Sequence, residues 1–447
     1  MCQNSISQVL LTLLILCGLL QCDSRPHSYD SKPLSEISKE VSKYSDIAHQ
    51  IINLAVYGKA QNRSDERLAE FTDTIGNRVS GSKNLDLNVH LELVKIPHWV
   101  RGEESAVMLL PRNHTLAILG LGSSVGTPPG GIEAEAMVVE SFEELKKRAS
   151  EAKGKIVVYN QPFVSYGETV TYRASGASEA AKVGAVASLH PHTGWQWYQP
   201  GVAQIPTACI TVEDAQMMAR MACRGQRIVV RLTMRDQTLP DVDSYNTLAE
   251  ITGSEHPEQV VLLSGHLDSW DMGQGAMDDG GGVTISWEAL SLIRDLGLRP
   301  KRTLRTVLWS AEEPGGVGAA QYFQQHKANI SNFNLVMESD LGTFSPLGLQ
   351  FTGSDEARAI MKEVMKLLAT INVTSLEEHG EGTDVNSVHY VFFPGASLHT
   401  ADQRYFWFHH SDSDTMSVQN PEEMNLCSTV WAVVAYVVTD LDGMLTR

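Results

Sequence analysis

His266 and Asp268 stand two residues apart at the end of an apolar run, 260–263, that reads as a buried strand. While the chain stays extended, both side chains leave the same face. The Asp268 carboxylate can then take the proton on one imidazole nitrogen and leave the other free for a metal. After a polar loop comes Asp278, then glycines at 280–282 that allow close backbone approach and open a helix through Val283, Trp287, Leu290 and Ile293. A His-x-Asp pair alone is a common surface arrangement. Its meaning comes from the rest of the set. Glu312 and Glu313 end the strand-like segment 306–309, Asp340 ends 335–339, and His410 lies within 408–415. In open α/β sheets ligands bind at the carboxyl ends of strands, which is where these side chains recur. Imidazole and carboxylate together suit zinc, and a shared carboxylate holds two ions about 3.5–4 Å apart, the arrangement of a hydrolase.

The elements around these residues must hold them at one edge of a sheet. From Tyr245 onward strands alternate with helices, which predicts an α/β fold: a mostly parallel mixed sheet with helices on both faces. Apolar positions at Ile37, Val41, Tyr44, Ile47, Ile51 and Leu54 predict an amphipathic helix over 34–56, with Gly58 just beyond. Further helices are expected at 65–74, 355–369 and 426–441, the last apolar enough to be a buried closing helix. Strand-like segments fall at 89–96, 106–110 and 115–119. The stretch 121–237 carries none of the candidate ligands and reads as an insertion. His190, His192 and the aromatic residues of 195–198 read as a solvated loop within it. Gly122-Ser123-Ser124-Val125-Gly126 matches the nucleophile elbow of serine hydrolases, the rival chemistry. That elbow needs a helix directly after it, and Pro128, Pro129, Gly130 and Gly131 forbid one, so a turn is expected.

With 447 residues there is room for two or three domains, and a formal charge of −18 argues against nucleic acid and against a polybasic membrane patch. The apolar run 9–20 is short for a membrane span and reads as the core of a signal peptide, although no Lys or Arg precedes it. No later stretch suits a membrane span. Cys209, Cys223 and Cys427 remain after the signal, an odd number; Cys209–Cys223 is a possible bridge. Sequons at Asn62, Asn113, Asn329 and Asn372 are expected to carry glycans behind a signal peptide.

The series Gly265-His266-Leu267-Asp268, Gly275-Ala276-Met277-Asp278-Asp279-Gly280, Ala311-Glu312-Glu313, Glu338-Ser339-Asp340 and His410 with Asp414-Thr415 resembles the co-catalytic zinc aminopeptidase and glutamate carboxypeptidase family. The inserted unit, with Gly154-Lys155-Ile156-Val157 and Gly184-Ala185, resembles a protease-associated domain. The resemblance implies two Zn2+ ions per chain. His266 and Asp340 would hold one, Glu313 and His410 the other, and Asp278 would bridge them. Glu312 would be the general base, with Asp268 supporting the catalytic site and a cis peptide after Asp278. His410 is preferred to His409 because its spacing to Asp414-Thr415 fits the motif. Asp384, Tyr405 and Phe406 are candidates for lining the substrate pocket.

It further implies a signal peptide at 1–23, a propeptide at 24–45 whose removal gives full activity, a peptidase domain at 46–120 and 238–447, and the insert at 121–237. The expected protein is a secreted homodimer, also found in the endoplasmic reticulum, Golgi and lysosome, that hydrolyses small peptides, foremost dipeptides with free termini. Two departures from the family stand out. The segment 83–88 is too short for the usual amphipathic helix, and the loop 189–193 is shorter than expected. An aminopeptidase acting on longer peptides is the alternative enzyme, and a glutaminyl cyclase is disfavoured by the insert. A transferrin-receptor-like binding protein, with ligands lost, is the alternative non-enzyme, and the full ligand set speaks against it.

Overall fold

The computed structural model describes residues 33–75, 88–379, 393–401 and 404–446. The expected signal peptide at 1–23, most of the short segment 83–88, and Asp384 lie outside the described residues. In chain order the strands are β1 (Asn88–Val100), β2 (Glu104–Leu110), β3 (His114–Leu116), β4 (Ile118–Gly120), β5 (Ile132–Val139), β6 (Ile156–Tyr159), β7 (Ala187–His190) and β8 (Thr207–Ile210). There follow β9 (Val229–Met234), β10 (Gln237–Ile251), β11 (His256–His266), β12 (Arg302–Trp309), β13 (Phe333–Glu338), β14 (Pro346–Thr352), β15 (Ser375–Glu378) and β16 (Gly395–Thr400).

They form two eight-stranded sheets among the described residues. The main sheet runs β1-β10-β12-β11-β13-β16-β14-β15, with a parallel centre: β11 pairs with β12 and β13, and β13 with β16. Along β11, Val261 and Leu263 enter one core while Val260 and Leu262 enter the other. Burial on both faces is why this strand reads as a continuous apolar run and not as an alternation. The helices Gly281–Asp295 and Pro421–Asp440 cover the first face. The helix Val317–Gln325 covers the second with Ala319, Tyr322 and Phe323. Pro421–Asp440 is buried nearly all round from Met424 to Thr439, as its composition predicts. Asn420 caps it, accepting from the N–H groups of Glu422 and Glu423, with Pro421 at the first position, where a missing N–H costs nothing.

β1 and β10 pair antiparallel from Asn88↔Glu250 to Val100↔Gln237, so the chain leaves the main sheet on one strand and returns on its neighbour. Between them lies the second sheet, β3-β2-β9-β5-β6-β7-β8-β4, with apolar clusters of its own. The boundary expected at 120/121 is therefore too late. β2 pairs with β9 and β4 with β8, so the strands of 104–120 belong to the second sheet. Their alternation predicted strands correctly but carries no information on which distant strand each would meet.

The single helix expected over 34–56 is two, Leu34–Ser42 and Ser45–Ile52, followed by one wide turn. Ile37, Val41, Tyr44, Ala48 and Ile51 all enter the main core. The Tyr44 hydroxyl meets the carbonyl (2.8 Å) and carboxylate (3.0 Å) of Asp440, and the Asp442 N–H donates to Glu40 Oε1 at 2.8 Å. Cys209, Cys223 and Cys427 are all free thiols, so the possible Cys209–Cys223 bridge is absent. Asn113, Asn329 and Asn372 are exposed, whereas Asn62 is half-buried and exchanges hydrogen bonds with Asn425. No helix among the described residues is long and apolar enough to cross a membrane.

Candidate metal centre

β11 and β12 run parallel in register to their ends, His266 opposite Trp309, so His266 and the Ala311–Glu313 turn emerge at the same edge. β13 ends two residues before Asp340 on the other side of β11. Close approach is needed here. A Cβ on Gly265 would lie 2.6 Å from Val283 N, and one on Gly282 would lie 2.0 Å from Ser339 O, so strand, helix and loop pack through these glycines. The 410–414 segment is tied to the centre by Asp414, whose carboxylate accepts from the N–H of Met277 (2.7 Å) and of Asp278 (3.1 Å). The Asp278–Asp279 peptide is cis, as the resemblance implied.

The two halves meet at Asp278. His266 Nε2 lies 3.2 Å from Asp278 Oδ1 and 3.5 Å from Asp340 Oδ1. His410 Nε2 lies 3.3 Å from Asp278 Oδ2 and 2.7 Å from Glu313 Oε2. All five side chains expected to hold metal are thus brought together, with Asp278 between the two imidazoles. Glu312 is adjacent but farther, its Oε2 4.0 Å from His266 Nε2. Asp278 Oδ2, Glu313 Oε1 and His410 Nδ1 are buried without hydrogen bonds. Buried polar atoms are rarely left unpaired, and a donor set of two imidazoles and three carboxylates fits zinc.

The role expected of Asp268 is corrected. β11 stops at His266, so the extended-chain argument fails beyond it. His266 Nδ1 faces the Asp268 backbone carbonyl at 2.8 Å, while the carboxylate is 3.9 Å away. That carbonyl fixes the tautomer and leaves Nε2 as the ligand atom. The Asp268 carboxylate instead accepts from the N–H groups of Glu312 (3.0 Å) and Glu313 (3.1 Å), so it positions both glutamates. Asp279, adjacent to the ligand, is occupied with backbone: it accepts from His266 N–H and Gly282 N–H.

Electrostatics follow from the crowding. Burial opposes charge on His266, but Asp278 and Asp340 outweigh it and hold its pKa well above the usual imidazole range. Burial likewise opposes His410, yet Glu313 and Asp278 raise it to about 10. Burial, reinforced by Asp340 and Glu313, pushes the Glu312 carboxyl well up. Acids outnumber cations here, and the centre favours added positive charge.

The inserted sheet also reaches the centre, against expectation. His190 is fully buried, and of the tryptophans Trp197 is exposed as expected whereas Trp195 packs edge-on against Trp99 with ring centroids 6.4 Å apart. Tyr166 stacks on Phe406 (4.8 Å) and meets His409 edge-on (5.5 Å). Tyr405 donates to Asp340 Oδ1 at 3.4 Å. The residues near the centre that the sequence does not mark are Tyr166 and Arg173. Nothing in their local sequence distinguishes them from ordinary helix residues, whereas Asp414 belongs to the His410 motif. The serine-rich sequence 122–126 is a turn: Ser124 Oγ accepts from the Thr207 N–H at 3.0 Å, deep in the second sheet.

Residues 246–435 match the model of peptidase family M28, a span that holds every ligand candidate. Human carboxypeptidase Q is 62% identical over 461 residues, covering 97% of this chain and 97% of its own. The Xenopus laevis protein of that name is 62% identical, covering 98% and 99%. A solved peptidase M28 precursor from Shewanella amazonensis is 29% identical and superposes with a TM-score of 0.85 over 91% of this chain and 99% of its own. A zinc aminopeptidase of Bacillus subtilis shares the fold at 16% identity, with a TM-score of 0.59 over 92% of this chain and 99% of its own. The chain belongs to the same family as these carboxypeptidase Q proteins, with its peptidase M28 match at residues 246–435.

Proposed function

We propose that this protein is a zinc-dependent exopeptidase that cleaves short peptides, foremost dipeptides with free termini, using two zinc ions per chain. His266 and Asp340 would hold one ion and Glu313 and His410 the other, with Asp278 shared. Bound there, the ions would polarise the scissile carbonyl and make water acidic enough to attack near neutral pH. Glu312 is the proton carrier: its carboxylate takes a proton from the attacking water and passes it to the leaving nitrogen, while the hydroxyl joins the carbonyl carbon. Its Oε2, 4.0 Å from His266 Nε2 and so farther than Asp278 and Asp340, supports that role, and Asp268 holds its backbone in place.

The preference for a free carboxyl end rests on one observation, Arg173. Its side chain is 6% exposed, yet no carboxylate pairs with it among the described residues. Nη1 donates to Thr193 O (2.9 Å) and to the Tyr166 hydroxyl (3.3 Å), and Nε has no partner. A buried cation without an acid is costly. Arg173 and His410 both flank Gly194, where a Cβ would lie 2.2 Å from Arg173 Nη1 and 3.0 Å from His410 Nδ1. A substrate carboxylate arriving beside the metal centre would complete the pairing in two-pronged fashion. The test compares a dipeptide with its carboxyl-amidated form. Arg173→Gln is expected to lower kcat/KM on the free acid by roughly 10²-fold, as for loss of a charged hydrogen bond, and to change the amide little. Equal loss on both, or rapid cleavage of amino-terminal reporter substrates by the wild type, would instead favour the aminopeptidase reading.

Secretion and glycosylation are proposed with it, supported by the exposed sequons at Asn113, Asn329 and Asn372. A homodimer is also proposed. Its support is an apolar strip on the edge of the main sheet, where Leu93 (53% exposed) lies opposite Tyr245 (45%). Light scattering on Leu93→Glu should show a monomer; an unchanged mass would remove this strip from consideration.

A further inference from the structure

A cavity of about 190 Å3 opens between the two sheets on the Asp268 and Glu313 side of the centre. Its walls are Ile96, Pro97, Trp99, Trp195, Trp270 and Pro314. Gly122 makes this wall possible, because a Cβ there would lie 2.3 Å from the Trp195 ring and 2.8 Å from the Trp270 ring. Four charged groups also line it: Arg101, Asp268, Asp271 and Glu313. Arg101 is forked onto Asp271 (2.6 and 2.9 Å), and the Asp268 carboxylate is bound by two backbone N–H groups. What remains is a recess walled by aromatic rings and floored by Glu313, whose Oε1 has no hydrogen bond.

Its position relative to Arg173 decides what enters it. The His410 ring is stacked on His409 (centroids 3.6 Å, planes 18°) and on Trp270 (4.9 Å, 18°), which two parallel neighbours can do only from opposite faces. Tyr166 and Arg173 lie on the His409 side, since Tyr166 meets His409 and Arg173 bonds to Tyr166. The cavity lies on the Trp270 side. A peptide whose carboxyl end points to Arg173 has its amino-side residue on the far side of the scissile bond, toward Trp270.

We infer that the recess between Trp99, Trp195 and Trp270 is the specificity pocket for an apolar side chain on the amino side of the scissile bond. This rests on the exopeptidase reading above and adds which residue of the substrate is selected. Apolar pockets discriminate by about tenfold or more for each methylene they fill. An acidic side chain would lose its water there beside the carboxylates of Asp268 and Glu313.

The experiment uses full-length, zinc-loaded protein and dipeptides that differ only in the amino-side residue. Leucyl and phenylalanyl substrates are expected to exceed the glycyl substrate in kcat/KM by at least about tenfold, with the glutamyl substrate lowest. Ile96→Trp, which adds bulk at the wall, should reduce or reverse the leucyl-to-glycyl ratio. Trp99→Leu, a second variant that opens the wall, should shift the preference toward the phenylalanyl substrate. Binding is read separately from turnover by indole fluorescence on the Glu312→Gln protein, where the leucyl dipeptide should bind more tightly than the glycyl one. Equal kcat/KM across the series, or a preference that survives both wall variants, overturns the pocket. The carboxyl-end reading fails on a different measurement, the acid-to-amide comparison with Arg173→Gln.

Discussion

Two histidines, one ending a strand of the second sheet and one in a turn beside the main sheet's edge, show how differently the two halves of this molecule treat a buried imidazole. His190 ends β7 in the second sheet and is fully buried; burial lowers its pKa to about 3, with the positive Arg173 adding to the effect. His410 is also buried, yet Glu313 and Asp278 overcome burial and raise it to about 10. Burial is common to both, so the neighbouring carboxylates decide the outcome. The second sheet keeps its histidine neutral and is a scaffold that contributes a cation, Arg173, and aromatic walls. The main sheet gathers acids around imidazoles, an arrangement that calls for metal.

The sharpest way to break this contrast is to remove metal. Chelation should abolish hydrolysis, and elemental analysis before treatment should find two zinc ions per active chain; one tight ion would sink the dinuclear reading. Hydrogen exchange should accelerate around Asp278 and Asp340 on chelation but not in β5 to β7; uniform acceleration would show the halves are not separate. Next in size, Glu312→Gln should lower kcat by about 10²- to 10⁴-fold with zinc content intact. Glu313→Gln should instead lose one zinc ion and recover part of its activity in excess zinc. The reverse pattern would exchange their roles.

A change confined to the scaffold should cost stability and spare metal. Leu189 is fully buried in the second sheet, and Leu189→Ala is expected to cost about 2–5 kcal/mol in denaturant titration without loss of zinc. Loss of zinc at native denaturant concentration would contradict it. The smallest effect concerns Asp236, where the chain re-enters the main sheet. Burial, with Glu104 nearby, pushes its carboxyl up to about 7, against the Gly102 N–H that it accepts. The folded state therefore favours the protonated form. Its contribution is complete below about pH 4, the unfolded value, and is lost as pH rises through about 7. Asp236→Asn stays neutral, so its melting temperature should exceed that of the wild type by a few degrees at pH 8 and match it near pH 4.5. A gap that widens on acidification would refute this.

What the sequence disclosed was local. The strand ends at His266, Glu313 and Asp340 were legible because an apolar run followed by a ligand-type residue is contiguous in the chain. The buried helix Pro421–Asp440 announced itself by composition. What it hid was long-range. The Asp268 carboxylate faces the imidazole only if the strand continues, whereas β11 ends at His266 and the carboxylate reaches residues 312 and 313. Trp195 reads as part of a solvated loop because its partner, Trp99, comes from another part of the chain, and nothing local marks Arg173, which meets Tyr166 and Thr193. The segments 104–110 and 118–120 were recognisable as strands but not as members of the second sheet.

The first described helix, Leu34–Ser42, bears on what a processing event would look like in the laboratory. It is seated by Ile37 and Val41 in the main core and held by Glu40 to the backbone of Asp442. Cutting the chain near Ser45 would sever a covalent bond without severing these contacts. The product would be a two-piece protein, the short piece lodged like a noncovalent subunit. Size-exclusion chromatography would then report an unprocessed mass, and only a denaturing gel or intact-mass spectrum would reveal the cut. Activity gained on processing would have to be measured again after the short piece is washed away, because the nick and the departure are separate events.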